Sequence, residues 1–96
     1  MWILVTYDVS TETKEGQRRM RRVAVVCQDY GQRVQKSVFE CWVGPVQYER
    51  LKRRLLRVIN PEEDSLRIYR LTEPREKYVE EFGLSRYVDF QGPLVL

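Results

Sequence analysis

The chain has 96 residues, with 17 Lys and Arg against 14 Asp and Glu, a formal charge of +3 and a pI near 9.0. That length makes one domain with a modest core, and the mild basic excess is compatible with a polyanionic partner. There is no histidine, and the two cysteines, Cys27 and Cys41, form no C-x-x-C pair; zinc fingers, histidine metal sites and histidine-dependent triads are thereby excluded.

Residues 2–10, Trp-Ile-Leu-Val-Thr-Tyr-Asp-Val-Ser, read as a strand, because β-branched and aromatic side chains dominate. Alternation places Trp2, Leu4, Thr6 and Asp8 on one face and Ile3, Val5 and Tyr7 on the other. Both faces are largely apolar, so both should be covered. Asp8 then stands at the end of a buried central strand, where its charge needs a metal ion, an arginine or backbone N–H groups. The plainest structural role is an acid accepting from the N–H groups of Ser10 and Thr11.

A polar loop leads to a helix over residues 17–30, whose stripe is Met20, Val23, Ala24, Cys27 and Tyr30. Gly31 ends it, as a glycine past the last turn commonly does. Arg18, Arg19, Arg21 and Arg22 crowd its first turns, where positive charge opposes the helix dipole unless an anion is near. They are either a solvated face or a contact to nucleic-acid phosphates. Both cysteines read as reduced core residues.

Residues 33–43 alternate as β structure, either one long strand or two short ones bent near Ser37; the pattern does not choose. Gly44-Pro45 opens a second helix, with proline at a first-turn position. Its stripe is Tyr48, Leu51, Leu55, Val58 and Ile59, while Arg50, Arg53, Arg54 and Arg57 fall on solvated faces. Asn60 to Asp64 reads as an acidic, solvated turn rather than a metal cluster. Residues 65–71 form another strand, and a short helix-like piece runs from Glu73-Pro74 to Gly83. Residues 84–96 end in an apolar tail that should add as a strand to a sheet edge, its own or a neighbour's. No signal peptide or membrane span is expected, so the expected location is cytoplasmic, without a membrane partner.

If the middle region is two strands, the order is βαββαβ, a ferredoxin-like α+β sandwich in one domain over 1–96. Two helices cover one sheet face and leave the other bare. A second copy packing sheet to sheet would cover it, and a two-fold homodimer would bring Asp8 near its own symmetry mate.

Tyr7-Asp8-Val9 at a strand end, the arginine-rich helix start, and the run Tyr30-Gly31-Gln32-Arg33-Val34-Gln35-x-Ser37-Val38-Phe39-Glu40-Cys41 together resemble the small CRISPR-associated endonuclease family. That family is the second of the two near-universal CRISPR adaptation proteins, the partner of the CRISPR integrase. The resemblance covers about residues 2–71. It implies a ferredoxin-like homodimer whose tail strand crosses to the partner, and a metal-dependent endonuclease acting on single-stranded RNA or double-stranded DNA. It also implies a role in spacer acquisition, bridging integrase dimers and holding foreign DNA. Asp8 matches the family's metal-binding and catalytic acid, and Tyr7 the aromatic before it. Arg18, Arg19 and Arg22 fall in its basic helix start, and Arg33 and Phe39 match an arginine and a phenylalanine of the second β region. Tyr7 and Phe39 also read as core or interface aromatics.

The implied cofactor is magnesium, with manganese as the alternative. Magnesium commonly uses one or two carboxylates and fills its shell with water, so the homodimer would supply the second Asp8. Arg18, Arg19 and Arg33 would neutralise phosphates. The competing reading is a non-catalytic adaptor dimer that grips a DNA duplex and docks integrase subunits. A third, an RNA-recognition domain, lacks the aromatic signature that such domains carry on their strands.

Overall fold

A computed structural model describes residues 1–88. The elements run β1 (Trp2–Asp8), α1 (Lys14–Gln28), β2 (Gly31–Gln35), β3 (Val38–Trp42), α2 (Pro45–Val58), β4 (Ser65–Leu71) and a short α3 (Arg75–Tyr78). The strands form one antiparallel four-stranded sheet in the order β2-β3-β1-β4. This is the expected ferredoxin-like βαββαβ arrangement, with β1 central.

The middle region is two strands. They turn at Lys36 and Ser37, and the register slips between Arg33 and Gln35. No non-glycine residue among those described has positive φ. The turn therefore lacks the primed geometry that Asn-Gly announces in a sequence, which is why the pattern left the bend near Ser37 as one of two alternatives.

α1 starts three residues before the expected position. Thr13 caps it, accepting the Gly16 N–H at 3.0 Å. It ends at Gln28, with Asp29 in helical backbone. Gly31 is not a left-handed cap, as the sequence suggested, but the first residue of β2. A Cβ there would lie 2.1 Å from the Glu40 carbonyl and 2.7 Å from Cys41 Cα. Only glycine lets β2 approach β3 so closely.

Val23, Ala24, Val26 and Cys27 of α1 and Leu51 and Leu55 of α2 pack on Ile3, Val5, Tyr7, Phe39 and Cys41 of the sheet. Met20, expected in the core stripe, is 40% exposed. The fully buried thiols are pushed up to about 12 by desolvation.

The opposite sheet face is not bare at its Trp2 end. Trp2 is only 1% exposed, stacked on Trp42 at 5.7 Å, and its indole N–H donates to Glu40 Oε1 at 3.0 Å. Arg75 of α3 donates to the same carboxylate. The helix-like piece is shorter than expected, ending at Tyr78. Residues 84–88 of the anticipated tail strand are in no strand, and 89–96 lie outside the described residues. No described helix is long and apolar enough to cross a membrane.

Candidate active site

β1 delivers two consecutive side chains to opposite sides of the sheet. Tyr7 points inward, with its ring stacked on Phe39 at a centroid separation of 6.3 Å and its hydroxyl donating to the Lys36 carbonyl at 3.5 Å. Burial raises the Tyr7 pKa, while the nearby Arg33 guanidinium pulls against that rise. Arg33 also lies over the Phe39 ring, 5.2 Å from its centroid. Phe39 itself is fully buried, so it acts on its surroundings as a platform under Arg33.

Asp8 is exposed, paired through the sheet with Ser65. Its carboxylate makes no hydrogen bond or ion pair with any described residue. The expected burial cost therefore does not arise within one chain. The structural role weighed for it, holding the Ser10 N–H, belongs to another acid: that N–H donates to Asp64 Oδ1 at 3.2 Å.

A groove of about 660 Å³ opens beside Asp8, between α1 and the β2–β3 turn. Asp8 and Thr11 lie on one wall, Met20 and Arg21 come from α1, and Arg33 and Lys36 come from the hairpin. The groove thus joins one unpaired carboxylate to three cations. Of the arginines chosen from sequence, it gathers only Arg33. Arg18 and Arg22 are exposed elsewhere on α1. Arg21 and Lys36 were not chosen, although helical spacing could have found Arg21: it shares a face with Ala24, Val25 and Gln28, which line the same groove.

Arg19 is turned inward. Its Nε donates to Asp64 Oδ2 at 2.8 Å, and its Nη2 donates to Asp64 Oδ1 at 3.2 Å and Glu63 Oε2 at 3.1 Å. Its guanidinium is thus committed to the acidic turn before β4. That turn is not the solvated loop expected, because the Asp64 side chain is fully buried. It also accepts the Asn60 N–H at 2.8 Å. Burial pushes the Asp64 pKa up, but Arg19 and the N–H groups of Asn60 and Ser10 outweigh it and leave the pKa below its ordinary value.

A second cavity of about 470 Å³ lies on the outer sheet face, near Trp2 and Arg75. Its Glu40 carboxylate is already bound by Trp2 and Arg75, while Glu80 and Glu81 line the same cavity.

Among the described residues, no group of three or more acidic or cysteine side chains could hold a metal. A lone exposed carboxylate without internal partners fits a hard, water-rich cation such as magnesium, which accepts one or two carboxylates and completes its shell with water. It does not fit a closed structural site.

A family model described as CRISPR associated protein Cas2 matches residues 1–79. The chain is 62% identical over 96 residues to the CRISPR-associated endoribonuclease Cas2 1 of Moorella thermoacetica, covering all of both chains. It is 48% identical over 95 residues to the CRISPR-associated endonuclease Cas2 of Halalkalibacterium halodurans, covering 99% of each. The crystal structure of Streptococcus pyogenes Cas2 at pH 6.5 superposes with a TM-score of 0.79 at 51% identity, over 86% of this chain and 100% of that one. A hypothetical protein from Thermus thermophilus superposes with a TM-score of 0.75 at 32% identity, over 90% of this chain and 94% of that one.

Proposed function

The chain belongs to the CRISPR-associated Cas2 family, and from that premise we propose that it is a metal-dependent endonuclease that hydrolyses phosphodiester bonds in nucleic acid held beside Asp8. The nuclease role rests on relatives named endoribonuclease and endonuclease. The single structural observation that carries the site is the unpaired Asp8 carboxylate sharing one groove with Arg21, Arg33 and Lys36.

The roles follow from charge and position. Arg21, Arg33 and Lys36 neutralise backbone phosphates and hold the strand along the groove. The Phe39 ring supports Arg33 from beneath. Asp8 offers the oxygen that would hold magnesium or manganese, which, when bound, polarises a phosphate and acidifies water. A homodimer through the outer sheet face would bring a second Asp8. That pairing is supported by the exposed Tyr69, Phe82 and Leu84 on or after β4. In the cell the reading extends to spacer acquisition, with the CRISPR integrase as partner.

The test is cleavage of labelled single-stranded RNA and double-stranded DNA by wild type and Asp8→Asn, with magnesium, with manganese and with chelator. Activity lost in the variant and in chelator supports the reading; equal rates in both proteins would overturn it. A second reading is favoured by the three groove cations, which bind phosphate without any metal. Duplex binding that survives chelation, with no cleavage under any condition, selects the non-catalytic adaptor.

A further inference from the structure

Ser10 follows Asp8 by two residues, and its N–H is hydrogen-bonded while its carbonyl packs against α1. Its N–H donates to Asp64 Oδ1 at 3.2 Å. Its carbonyl oxygen would lie 1.9 Å from a Cβ at residue 16, so the loop packs directly on the first turn of α1 at a glycine. The next residue is held too, since the Gln17 side-chain Nε2 donates to the Thr11 carbonyl at 3.2 Å. Asp64 in turn precedes Ser65, the cross-strand partner of Asp8. One buried carboxylate therefore ties together the chain leaving the candidate acid, the arginine-rich helix through Arg19, and the turn that feeds β4.

The geometry points to Asp64, with Arg19, as a positioning residue for Asp8: it fixes the segment that leaves Asp8, and so the place of that carboxylate in the groove it lines with Arg21 and Arg33. The inference rests on the nuclease reading. It also reassigns Arg19, which acts through Asp64 and not on phosphate. Both oxygens of Asp64 are in use, each accepting from Arg19 and from one backbone N–H. An Asn at 64 keeps the shape but puts an amide NH₂ opposite donors on one side. Lysine at 19 keeps the charge but loses the fork that reaches both oxygens.

The experiment compares wild type, Asp64→Asn, Arg19→Gln and the double variant, with Arg19→Lys standing in should Asp64→Asn fail to fold. Three readings are taken: steady-state cleavage, oligonucleotide binding in chelator across a salt series, and amide hydrogen exchange at Ser10. The expected result is a kcat lowered tenfold or more in each single variant, with KM and chelator binding within twofold. The double variant should lose no more than the worse single, because the two side chains act as one unit. Exchange at Ser10 should accelerate in Asp64→Asn while that of β3 does not. The salt slope should be unchanged in Arg19→Gln. A slope reduced by about 0.7–0.9, the amount expected for one lost phosphate contact, would overturn the inference by making Arg19 a direct contact. So would an unaltered kcat in a folded Asp64→Asn protein. A wild type that cleaves nothing, with Ser10 exchange still accelerated in Asp64→Asn, would sink the nuclease reading and leave the clamp standing.

Discussion

Arg75 grips Glu40 across the outer face of the sheet, donating from Nε to Oε1 at 2.5 Å and from Nη2 to Oε2 at 3.1 Å. Glu40 is only 4% exposed, and its Oε1 also accepts the Trp2 indole N–H. A charge this secluded is tolerable only because three donors surround it.

Arg75→Ala should therefore cost about 2 kcal/mol or more, since it strands a buried carboxylate. Urea denaturation monitored by circular dichroism measures that loss. Tryptophan emission should also shift to the red as water reaches Trp2. A midpoint equal to that of wild type would show that the pair contributes nothing to folding.

Asp8→Asn should leave the melting temperature within a degree or two, because the side chain is exposed and bonds to nothing described. Cleavage, by contrast, should fall by roughly 100-fold or more, the scale on which removing one preorganised charge-stabilising group acts. The two effects are read on one preparation, by calorimetry and by gel assay.

Arg33→Gln and Lys36→Gln should each weaken oligonucleotide binding at low salt and flatten its salt dependence. One lost contact lowers the slope of log K against log salt by about 0.9 on a duplex and about 0.7 on a single strand. Arg53→Gln, on an exposed face of α2 away from the groove, is the comparison, and its slope should match wild type. Anisotropy titrations at four or five salt concentrations decide the matter.

Cys27 and Cys41 should resist alkylation in the native protein. Burial pushes both thiols up to about 12, so at pH 8 almost no thiolate exists. Iodoacetamide labelling followed by mass spectrometry should show two modified sites in denaturant and none without it. Rapid labelling of the folded chain would show that the core opens more readily than its packing implies.

Acid stability carries the imprint of Asp64. Its folded pKa lies below the ordinary 3.8. A depressed carboxylate contributes stability that is fully present above the unfolded value and is lost as pH falls through the folded one. Melting temperature should therefore be flat in this contribution above about pH 5 and should drop below pH 3.8, and Asp64→Asn should show a smaller drop over that interval. Identical acid profiles for the two proteins would contradict the assignment.

Much of the fold was legible because it is written in local periodicity. The strand pattern of residues 2–8 and the three- and four-residue spacing of Leu51, Leu55, Val58 and Ile59 each follow from nearest neighbours in the chain. The hairpin at Lys36 and Ser37 was legible only as one of two alternatives, a bend near Ser37, since a lone serine without glycine, proline or asparagine is a weak turn signal. Gly31 was misread as a helix cap because a glycine required by strand approach looks the same in sequence as one required by positive φ.

What the sequence alone determined was the first strand, the two long helices, the strand at 65–71 and the candidacy of Asp8, all set by side-chain type and spacing along one segment; whether residues 33–43 make one strand or two was settled by the structure. Only the tertiary structure decided which cations stand beside that acid. Arg18, Arg19, Arg21 and Arg22 are equivalent by composition, yet successive helix positions are 100° apart, so one faces the groove, one is turned inward on Asp64 and two face solvent. The choice among them was made by Asp64, 45 residues from Arg19 in sequence, and contacts at that separation leave no trace in local pattern because they exist only once the chain has folded.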